Sequence, residues 1–227
     1  EIIKTRWIME RENKFIKQRN QKLGEKTVAA FQKRHFDAFY CETAQDALNK
    51  ALELIKKDDV IAWGGSMTIK EIGLVDYLES NGYKTINRDK APSAEEKLKF
   101  AYDSFFADVF LMSANAISSD GQMVNIDGLG NRVAALSFGP KTVIVIAGVN
   151  KVVKTLDEAY KRARNYAAPV NLQRIASMNN NQTPCALTGN CADCISPDSI
   201  CCQIVTTRLC RPAGRIKIIL VNDELGY

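Results

Sequence analysis

Apolar runs long enough to form β-strands alternate with amphipathic stretches along most of the chain. The amphipathic stretches carry apolar side chains three or four residues apart, as on one helix face, and Thr43 with Asp46 has capping-box spacing at a helix start. The strand-length runs are Phe36–Cys41, Val60–Trp63, Tyr83–Ile86, Asp108–Ile117, Thr142–Gly148 and Arg215–Asp223. This alternation predicts an α/β fold, a mostly parallel sheet with helices on both faces.

One region departs from this alternation. Residues 118–136 contain Asp-Gly pairs at Asp120 and Asp127 and a short alternation of polar and apolar side chains. Asp-Gly pairs are typical of tight turns between antiparallel strands. The pattern therefore predicts a hairpin rather than a helix here, as a small antiparallel insertion in the parallel fold.

The beginning of the chain is more polar than the rest. Residues 5–35 contain a single glycine, Gly24, and predict one or two helices. No linker rich in Pro, Gly or Ser follows, so we expect residues 1–35 to form a helical extension on one α/β domain of residues 36–227. That domain includes a cysteine-rich loop at residues 183–210, and the extension packs on it or on a second copy in a homo-oligomer.

Composition argues against membrane and nucleic-acid partners. The longest apolar runs are strand-length, well below the ~20 residues of a spanning helix, and the first residues lack the apolar segment of a signal peptide, so we expect a cytoplasmic protein. The net charge is +5, and residues 1–57 hold 13 basic against 8 acidic side chains. Without interleaved aromatic residues, this excess favours a solvated helix face over a nucleic-acid surface.

The end of the second predicted strand has the form of a ligand-binding turn. In open α/β sheets, ligands collect at the carboxyl ends of the strands. Here two glycines follow Trp63 and allow a ligand to approach the backbone closely, and two hydroxyl side chains come next. The candidate ligand-binding residues of this segment are Gly64, Gly65, Ser66 and Thr68. An ordinary tight turn between strand and helix is an equally good interpretation of the spacing.

Two further segments add polar residues suited to an anion. The segment Asn125–Leu136 packs polar side chains among glycines, and an arginine fork suits a carboxylate or phosphate. A third segment follows the strand Thr142–Gly148. Together they supply the candidates Asp127, Gly130, Asn131, Arg132, Asn150 and Lys151. We therefore predict a pocket for a small anionic metabolite where these three segments meet.

Histidine chemistry has little support, because His35 in the polar extension is the only histidine. The candidate catalytic acids and bases near the glycine turn are Glu71, Asp127 and Lys151. A surface charge or a structural hydrogen bond is the alternative interpretation of each.

The cysteines are concentrated near the end of the chain, since six of the seven fall between residues 185 and 210. The spacing C-x5-C-x2-C-x6-C predicts four thiolate ligands, Cys185, Cys191, Cys194 and one of Cys201 or Cys202, with Cys201 as the first choice. Four thiolates suit a [4Fe-4S] cluster or zinc equally well. Disulfides would need an oxidising compartment. We expect Cys210, between two arginines, to be a spare or reactive thiol.

Three of these segments also resemble a known family. The stretches "WGGSMTIKEIGL", "DGLGNRVAALSFGPKTVIVIAGVNKVV" and "GRIKIILVNDELGY" are similar to the lactate-utilisation (LUD) domain family from about Asp46 to Tyr227, and the cysteine-rich tail resembles one branch of it. The resemblance implies a fold similar to ribose-5-phosphate isomerases and CoA transferases. It also implies, for some members, a link to oxidation of L-lactate alongside iron-sulfur partner proteins, which favours the cluster over zinc.

Two hypotheses for the function follow. In the first, the chain holds a small anionic metabolite near an iron-sulfur cluster and takes part in redox metabolism with iron-sulfur partner proteins. In the second, it is a cofactor-independent isomerase or acyl/CoA-transferase-like enzyme, with Glu71 as base or nucleophile and a structural zinc or unliganded cysteine loop. A non-catalytic subunit is a third, and whether the chain is an enzyme stays open.

Overall fold

The computed structural model of the chain describes residues 2–177 and 181–227. Its helices, numbered in chain order, are α1 (Ile2–Lys33), α2 (Ala44–Glu53), α3 (Met67–Glu71), α4 (Leu74–Ser80), α5 (Ala94–Asp103), α6 (Asn131–Ser137), α7 (Leu156–Arg162), α8 (Ala168–Ala176) and α9 (Pro184–Thr188). Its strands are β1 (Asp37–Cys41), β2 (Val60–Trp63), β3 (Lys84–Ile86), β4 (Val109–Met112), β5 (Ala116–Ser118), β6 (Gln122–Asp127), β7 (Thr142–Gly148), β8 (Val152–Val153), β9 (Gln203–Thr207) and β10 (Ile216–Val221).

A six-stranded sheet forms the centre of the molecule, in the order β1-β10-β7-β4-β2-β3. Each neighbouring pair of strands in this sheet is parallel. The inner strands β4, β7 and β10 are buried along almost their whole length, and the sequences of β4 and β7 are almost continuously apolar, as expected for strands covered on both faces. The predicted α/β fold with a mostly parallel sheet is confirmed.

Helices cover both faces of this sheet, because successive side chains of each strand point to opposite sides. Ile144 of β7 packs in a core with Ala47 of α2 and Leu78 of α4. Its neighbour Val145 packs in the opposite core, where Phe31 of α1 and Leu136 of α6 are buried. Two cores on one sheet are the three-layer arrangement that the alternation of strands and helices predicted.

A second, four-stranded sheet has the order β8-β5-β6-β9. The hairpin β5–β6 is antiparallel, as is the pair β6–β9, whereas β8 runs parallel to β5. The predicted antiparallel insertion is therefore confirmed. The helix α7 and the π-helical segment Ala163–Ala167, which joins it to α8, pack small side chains against this sheet.

Two predicted elements differ from the structure. The apolar run Asp108–Ile117 forms two strands in different sheets, since the chain leaves the large sheet after Met112. The hairpin prediction is wrong from Asn131 onward, where α6 begins. The reason is the carboxylate of Asp127, which accepts hydrogen bonds from the backbone amides of Arg132 and Val133 and so caps this helix.

The start of the chain forms the single long helix α1. Val28 and Phe31, in its last turns, are buried in the central core. The proposed division of the chain at residue 35 stays a prediction, and residue 1 of the extension and residues 178–180 of the α/β region lie outside the described residues. In the described ranges, none of the helices combines the length and apolarity needed to cross a bilayer.

Candidate functional site

A cleft opens at the carboxyl edge of the large sheet, where the segments that follow β2, β4 and β7 meet. These strands are neighbours in the sheet, so their ends lie side by side. We call this cavity the strand-end cleft. Its lining includes Gly65, Ser66, Thr68, Ser113, Asn115, Arg132, Lys151, Asn171, Arg174 and Tyr227. An adjoining part, which shares Gly65 and Arg132 with it, is lined by Asp127 and Asn131 among others.

The two glycines after β2 have different roles. A Cβ atom at Gly64 would lie 2.4 Å from Cδ of Arg132, so only glycine allows that side chain to cross the strand end so closely. At Gly65 a Cβ would meet nothing within 4 Å, because this residue faces the open cleft. The Ser66 hydroxyl accepts a hydrogen bond from the amide of Ile69 at 3.5 Å and caps the short helix α3.

Asp127 and Arg132 form one structural unit. One carboxylate oxygen of Asp127 accepts the amides of Arg132 at 2.8 Å and Val133 at 3.2 Å, and the other accepts the amide of Gly128 at 3.0 Å. The guanidinium of Arg132 lies 3.5 Å from this carboxylate and donates to the backbone oxygen of Ile126. Asp127 therefore positions Arg132, and its oxygens are occupied by these donors.

Lys151 is buried at the floor of the cleft, with only 2% of its surface exposed. Its Nζ donates to Oγ1 of Thr68 and to Oγ of Ser113, both at 3.0 Å. The pKa of Lys151 is lowered to about 7, chiefly by burial; the charge of Arg162 contributes to this lowering, and Glu71 acts in the opposite direction. This ammonium group is therefore neutral in part near pH 7.

Three predicted residues lie beside the cleft and contact other groups. The Glu71 carboxylate accepts the amide of Gly226 at 2.6 Å. The Asn150 side chain donates to the Gly226 oxygen at 3.3 Å and accepts the amide of Leu225 at 3.4 Å. Gly130 precedes α6 with a φ of 84°, in the left-handed region that favours glycine. Glu71 and Asn150 thus fix the segment Asp223–Tyr227 against the cleft.

Sequence reasoning missed the residues that close the cleft from the opposite side. Arg174 of α8 donates from Nε to the Tyr227 hydroxyl at 2.8 Å and to Oδ1 of Asn171 at 3.2 Å. Ser113 and Asn115 lie between β4 and β5, inside a run that was interpreted as one strand. No local motif marks these positions, since only the tertiary fold brings α8 and residue 227 to the ends of β2 and β7.

A second cavity, the thiol pocket, brings together the four cysteines chosen from their spacing. Cys185, Cys191, Cys194 and Cys201 all line it. Burial raises the pKa of the Cys201 thiol to about 11, and the nearby sulfurs of the other three add to the rise. Arg164 donates to Sγ of Cys191 at 3.8 Å and forms an ion pair with Asp193. The pocket therefore combines four thiols with one guanidinium.

The remaining cysteines near the end of the chain lie elsewhere. Cys202 is exposed, and its Sγ donates to the Ser199 oxygen at 3.5 Å. Cys210 is 3% exposed, and its sulfur accepts the amide of Ile216 at 3.3 Å. Of the two alternatives predicted for Cys210, a spare or a reactive thiol, its position outside the thiol pocket and its burial favour the spare thiol. Among the side chains that the structure describes, from residue 14 to 177 and from 181 to 227, no three or more of His, Cys, Asp or Glu are grouped so that they could hold a metal ion.

The two cavities share a wall. Ala168, at the start of α8, and Ile200 line both the outer part of the strand-end cleft and the thiol pocket. These two apolar residues are therefore common to the linings of both cavities.

The family of the chain follows from its sequence. Residues 24–221 match the model of the LUD domain. A crystal structure of a DUF162 family protein from Deinococcus radiodurans is similar, with a TM-score of 0.47 and 15% identity over 90% of this chain and 98% of that one. No curated protein matches the chain. Because the family match covers most of its length, the chain belongs to the LUD domain family.

Proposed function

We propose that this LUD-domain chain binds a small anionic metabolite in the strand-end cleft and takes part in redox metabolism of the lactate-utilisation type, with a [4Fe-4S] cluster in the thiol pocket. One observation carries the proposal: a cleft lined by three basic side chains shares the wall of Ala168 and Ile200 with a pocket lined by four thiols.

The three basic side chains of the cleft support an anionic ligand. Arg132, Lys151 and Arg174 come from three different elements and line the same cavity. An arginine fork binds a carboxylate or phosphate with two parallel hydrogen bonds. Asp127 and Gly64 hold Arg132 in place, so this side chain is ordered before a ligand arrives. A charge positioned in advance loses little conformational entropy on binding.

The thiol pocket contains the donor set of the proposed cluster, although the four thiols are not grouped there as they would be around a bound metal ion. Thiolates are the ligands of [4Fe-4S] clusters, and Cys185, Cys191, Cys194 and Cys201 surround one cavity. The guanidinium of Arg164 beside Cys191 offsets part of the negative charge of bound thiolates. Such a cluster supplies one-electron transfer when bound. Zinc suits four thiolates too, and the preference for iron and sulfide comes from the redox association of the family.

The shared wall places the proposed anion site next to the proposed cluster site within one domain. Ala168 and Ile200 are apolar, and both line the outer part of the cleft as well as the thiol pocket. The cofactor-independent alternative gains no support from its proposed base, because the Glu71 carboxylate accepts the amide of Gly226 and does not line the cleft.

Two measurements test this function. Protein prepared without oxygen should contain iron and sulfide in cluster stoichiometry and absorb visible light; tight stoichiometric zinc with neither iron nor sulfide would contradict the cluster. Calorimetric titration with L-lactate, pyruvate and inorganic phosphate should reveal an anion that binds.

Substitution of Arg132 tests the proposed anion site directly. Arg132→Ala should weaken the binding of that anion by about tenfold or more, because charged hydrogen bonds contribute roughly 1.5–3 kcal/mol. Arg208→Ala is the matched control, since Arg208 is exposed and outside the cleft. Equal effects of the two substitutions would contradict the assignment of the cleft.

A further inference from the structure

In the part of the chain that the structure describes, the side-chain amine of Lys151 is buried without a charged partner, which is unusual for a lysine. Lysine is rarely fully buried without a charged partner. Here the amine is 2% exposed and its hydrogen-bond acceptors are two neutral hydroxyls, those of Thr68 and Ser113. Among the described residues, its Nζ forms no ion pair with a carboxylate within 4 Å. The burial of this amine therefore costs free energy that the fold does not recover locally.

The groups around Lys151 favour its neutral form. Arg162, whose guanidinium donates to the backbone oxygens of Asn115 and Asn150, adds to the lowering by burial, and so does Arg132. Glu71 is the group that opposes them. With a pKa of about 7, roughly half of the amines are neutral at pH 7, against about one in 2,500 for an ordinary lysine. A neutral amine is a nucleophile.

We propose that Lys151 is a catalytic residue that forms a Schiff base with the carbonyl group of a small 2-oxo acid bound in the strand-end cleft. This inference rests on the proposed anion site and names the class of its ligand. The amine would react with the carbonyl, while Arg132 and Arg174 in the same cavity suit the adjacent carboxylate. Gly65 lines the same cavity, and a Cβ there would meet nothing within 4 Å.

The reaction balances without any further reactant. The nitrogen lone pair of Lys151 forms a bond to the carbonyl carbon, and the carbon–oxygen π bond breaks to give a carbinolamine. The carbinolamine then loses its hydroxyl as water, and a carbon–nitrogen double bond remains. Nothing is oxidised or reduced. The two protons of the amine end on the released water, and the hydroxyls of Thr68 and Ser113, each 3.0 Å from Nζ, can transfer them.

The test traps the imine on the full chain. The protein is incubated with pyruvate and sodium cyanoborohydride, which reduces the imine to a stable amine, and the modified lysine is located by peptide mass spectrometry. We expect one adduct per chain, on Lys151, formed at least ~10 times faster than at Lys154 because of the larger neutral fraction. The rate should rise as the pH increases through about 7, since only the neutral amine attacks.

Variants and other probes define the controls. Lys151→Arg and Lys151→Met should abolish the adduct, and Lys154→Arg, an exposed position three residues away, should leave it unchanged. Acetone has the carbonyl without the carboxylate and should react poorly, whereas propionate has only the carboxylate and should compete with pyruvate. If both Lys151 variants fail to fold, the peptide map of the unmodified sequence still decides the question.

The outcomes separate this inference from the proposed function. Binding of pyruvate or another anion in the calorimeter without a Lys151 adduct would overturn the Schiff base and leave the anion site standing. An adduct spread evenly over surface lysines would overturn it as well. No binding of any tested anion together with no adduct would overturn both proposals.

Discussion

The strand-end cleft and the thiol pocket share a wall and yet are built in different ways. The floor of the cleft consists of the ends of buried strands, and Thr68, Ser113 and Lys151 are hydrogen-bonded to one another and at most 8% exposed. The four thiols come from residues 183–202, whose single described helix, α9, has five residues. The cleft is therefore shaped by the fold, while the thiol pocket depends on a mostly irregular segment.

This difference has a thermodynamic consequence. Groups on buried strands are ordered by the same free energy that folds the domain, so the cleft exists before a ligand binds. An irregular segment gains less from burial, and in such segments a metal supplies part of the folding free energy. In the thiol segment Ile195 is fully exposed and Leu187 is 68% exposed, so few apolar contacts hold it. We therefore expect metal removal to affect the two sites unequally.

The largest expected effect is loss of the metal. Cys191→Ser should abolish binding of whichever metal occupies the pocket, because a serine hydroxyl is a poor replacement for a thiolate ligand. The matched control is Cys202→Ser, since Cys202 is exposed and does not line the pocket. Iron, sulfide and zinc analysis of protein prepared without oxygen measures the result.

The same variant tests whether the two regions are independent. In Cys191→Ser, proteolysis within residues 183–202 should become faster, whereas anion affinity in the cleft should change by less than about twofold, as expected for separate sites. Full metal content in Cys191→Ser would contradict the ligand assignment. A large loss of anion affinity would contradict the separation of the two sites.

The next effect concerns the cleft and depends on pH. Lys151 has a folded-state pKa of about 7, below its unfolded value, so between about pH 7 and 10.5 the unfolded chain binds more protons than the folded one. The free energy of unfolding should therefore rise with pH in this range, by a contribution on the order of a few kcal/mol. Below pH 7 both states are protonated, and the gain is absent.

Lys151→Met measures this contribution by difference. Denaturant unfolding of the variant and of the unmodified sequence, followed from pH 6 to pH 10, should give curves whose separation changes with pH in favour of the unmodified chain at high pH. Other groups that titrate in this range are common to both proteins and cancel. Parallel curves would mean that the folded-state pKa of Lys151 is close to that of an ordinary lysine.

The sheet and the strand-end cleft could be predicted from the sequence to different extents. The sheet could be predicted because buried parallel strands such as β7 must be continuously apolar. The cleft was predicted in part: Gly65, Thr68, Arg132 and Lys151 follow strands directly and do line it. Arg174 could not be predicted, because it reaches the cleft only through the packing of α8, a tertiary contact with no local pattern.

Unlike Arg174, the cysteines of the thiol pocket have a local pattern that marks them in the sequence. Their spacing selected Cys185, Cys191 and Cys194 with Cys201 or Cys202 as the fourth, and Cys201 lines one pocket with the other three, since a short segment with closely spaced thiols has few ways to keep them apart. The role of Asp127 was harder to recognise. As a polar residue in a glycine-rich turn it has the same local appearance whether it is a catalytic base or caps α6, and only its three backbone donors distinguish the two.

The smallest effect is expected for Gly226→Ala, a substitution that tests how firmly the segment Asp223–Tyr227 closes the cleft. Gly226 has a φ of 56°, and a Cβ there would lie 2.7 Å from Oγ1 of Thr68 and 3.2 Å from Nζ of Lys151. Gly226→Ala should therefore lower the free energy of unfolding by about 1–2 kcal/mol for the left-handed backbone, with a further loss of about 1 kcal/mol or more from crowding.

Gly73→Ala is the matched control for this last change. Gly73 has a similar φ of 72°, but a Cβ there would meet nothing within 4 Å, so this variant carries the backbone cost alone. Thermal unfolding should separate the two variants by roughly 2–4 °C, the shift that 1 kcal/mol produces in a domain of this size. Equal melting temperatures would mean that the segment moves aside at little cost, and the cleft would then be closed less firmly than its hydrogen bonds to Glu71 and Asn150 imply.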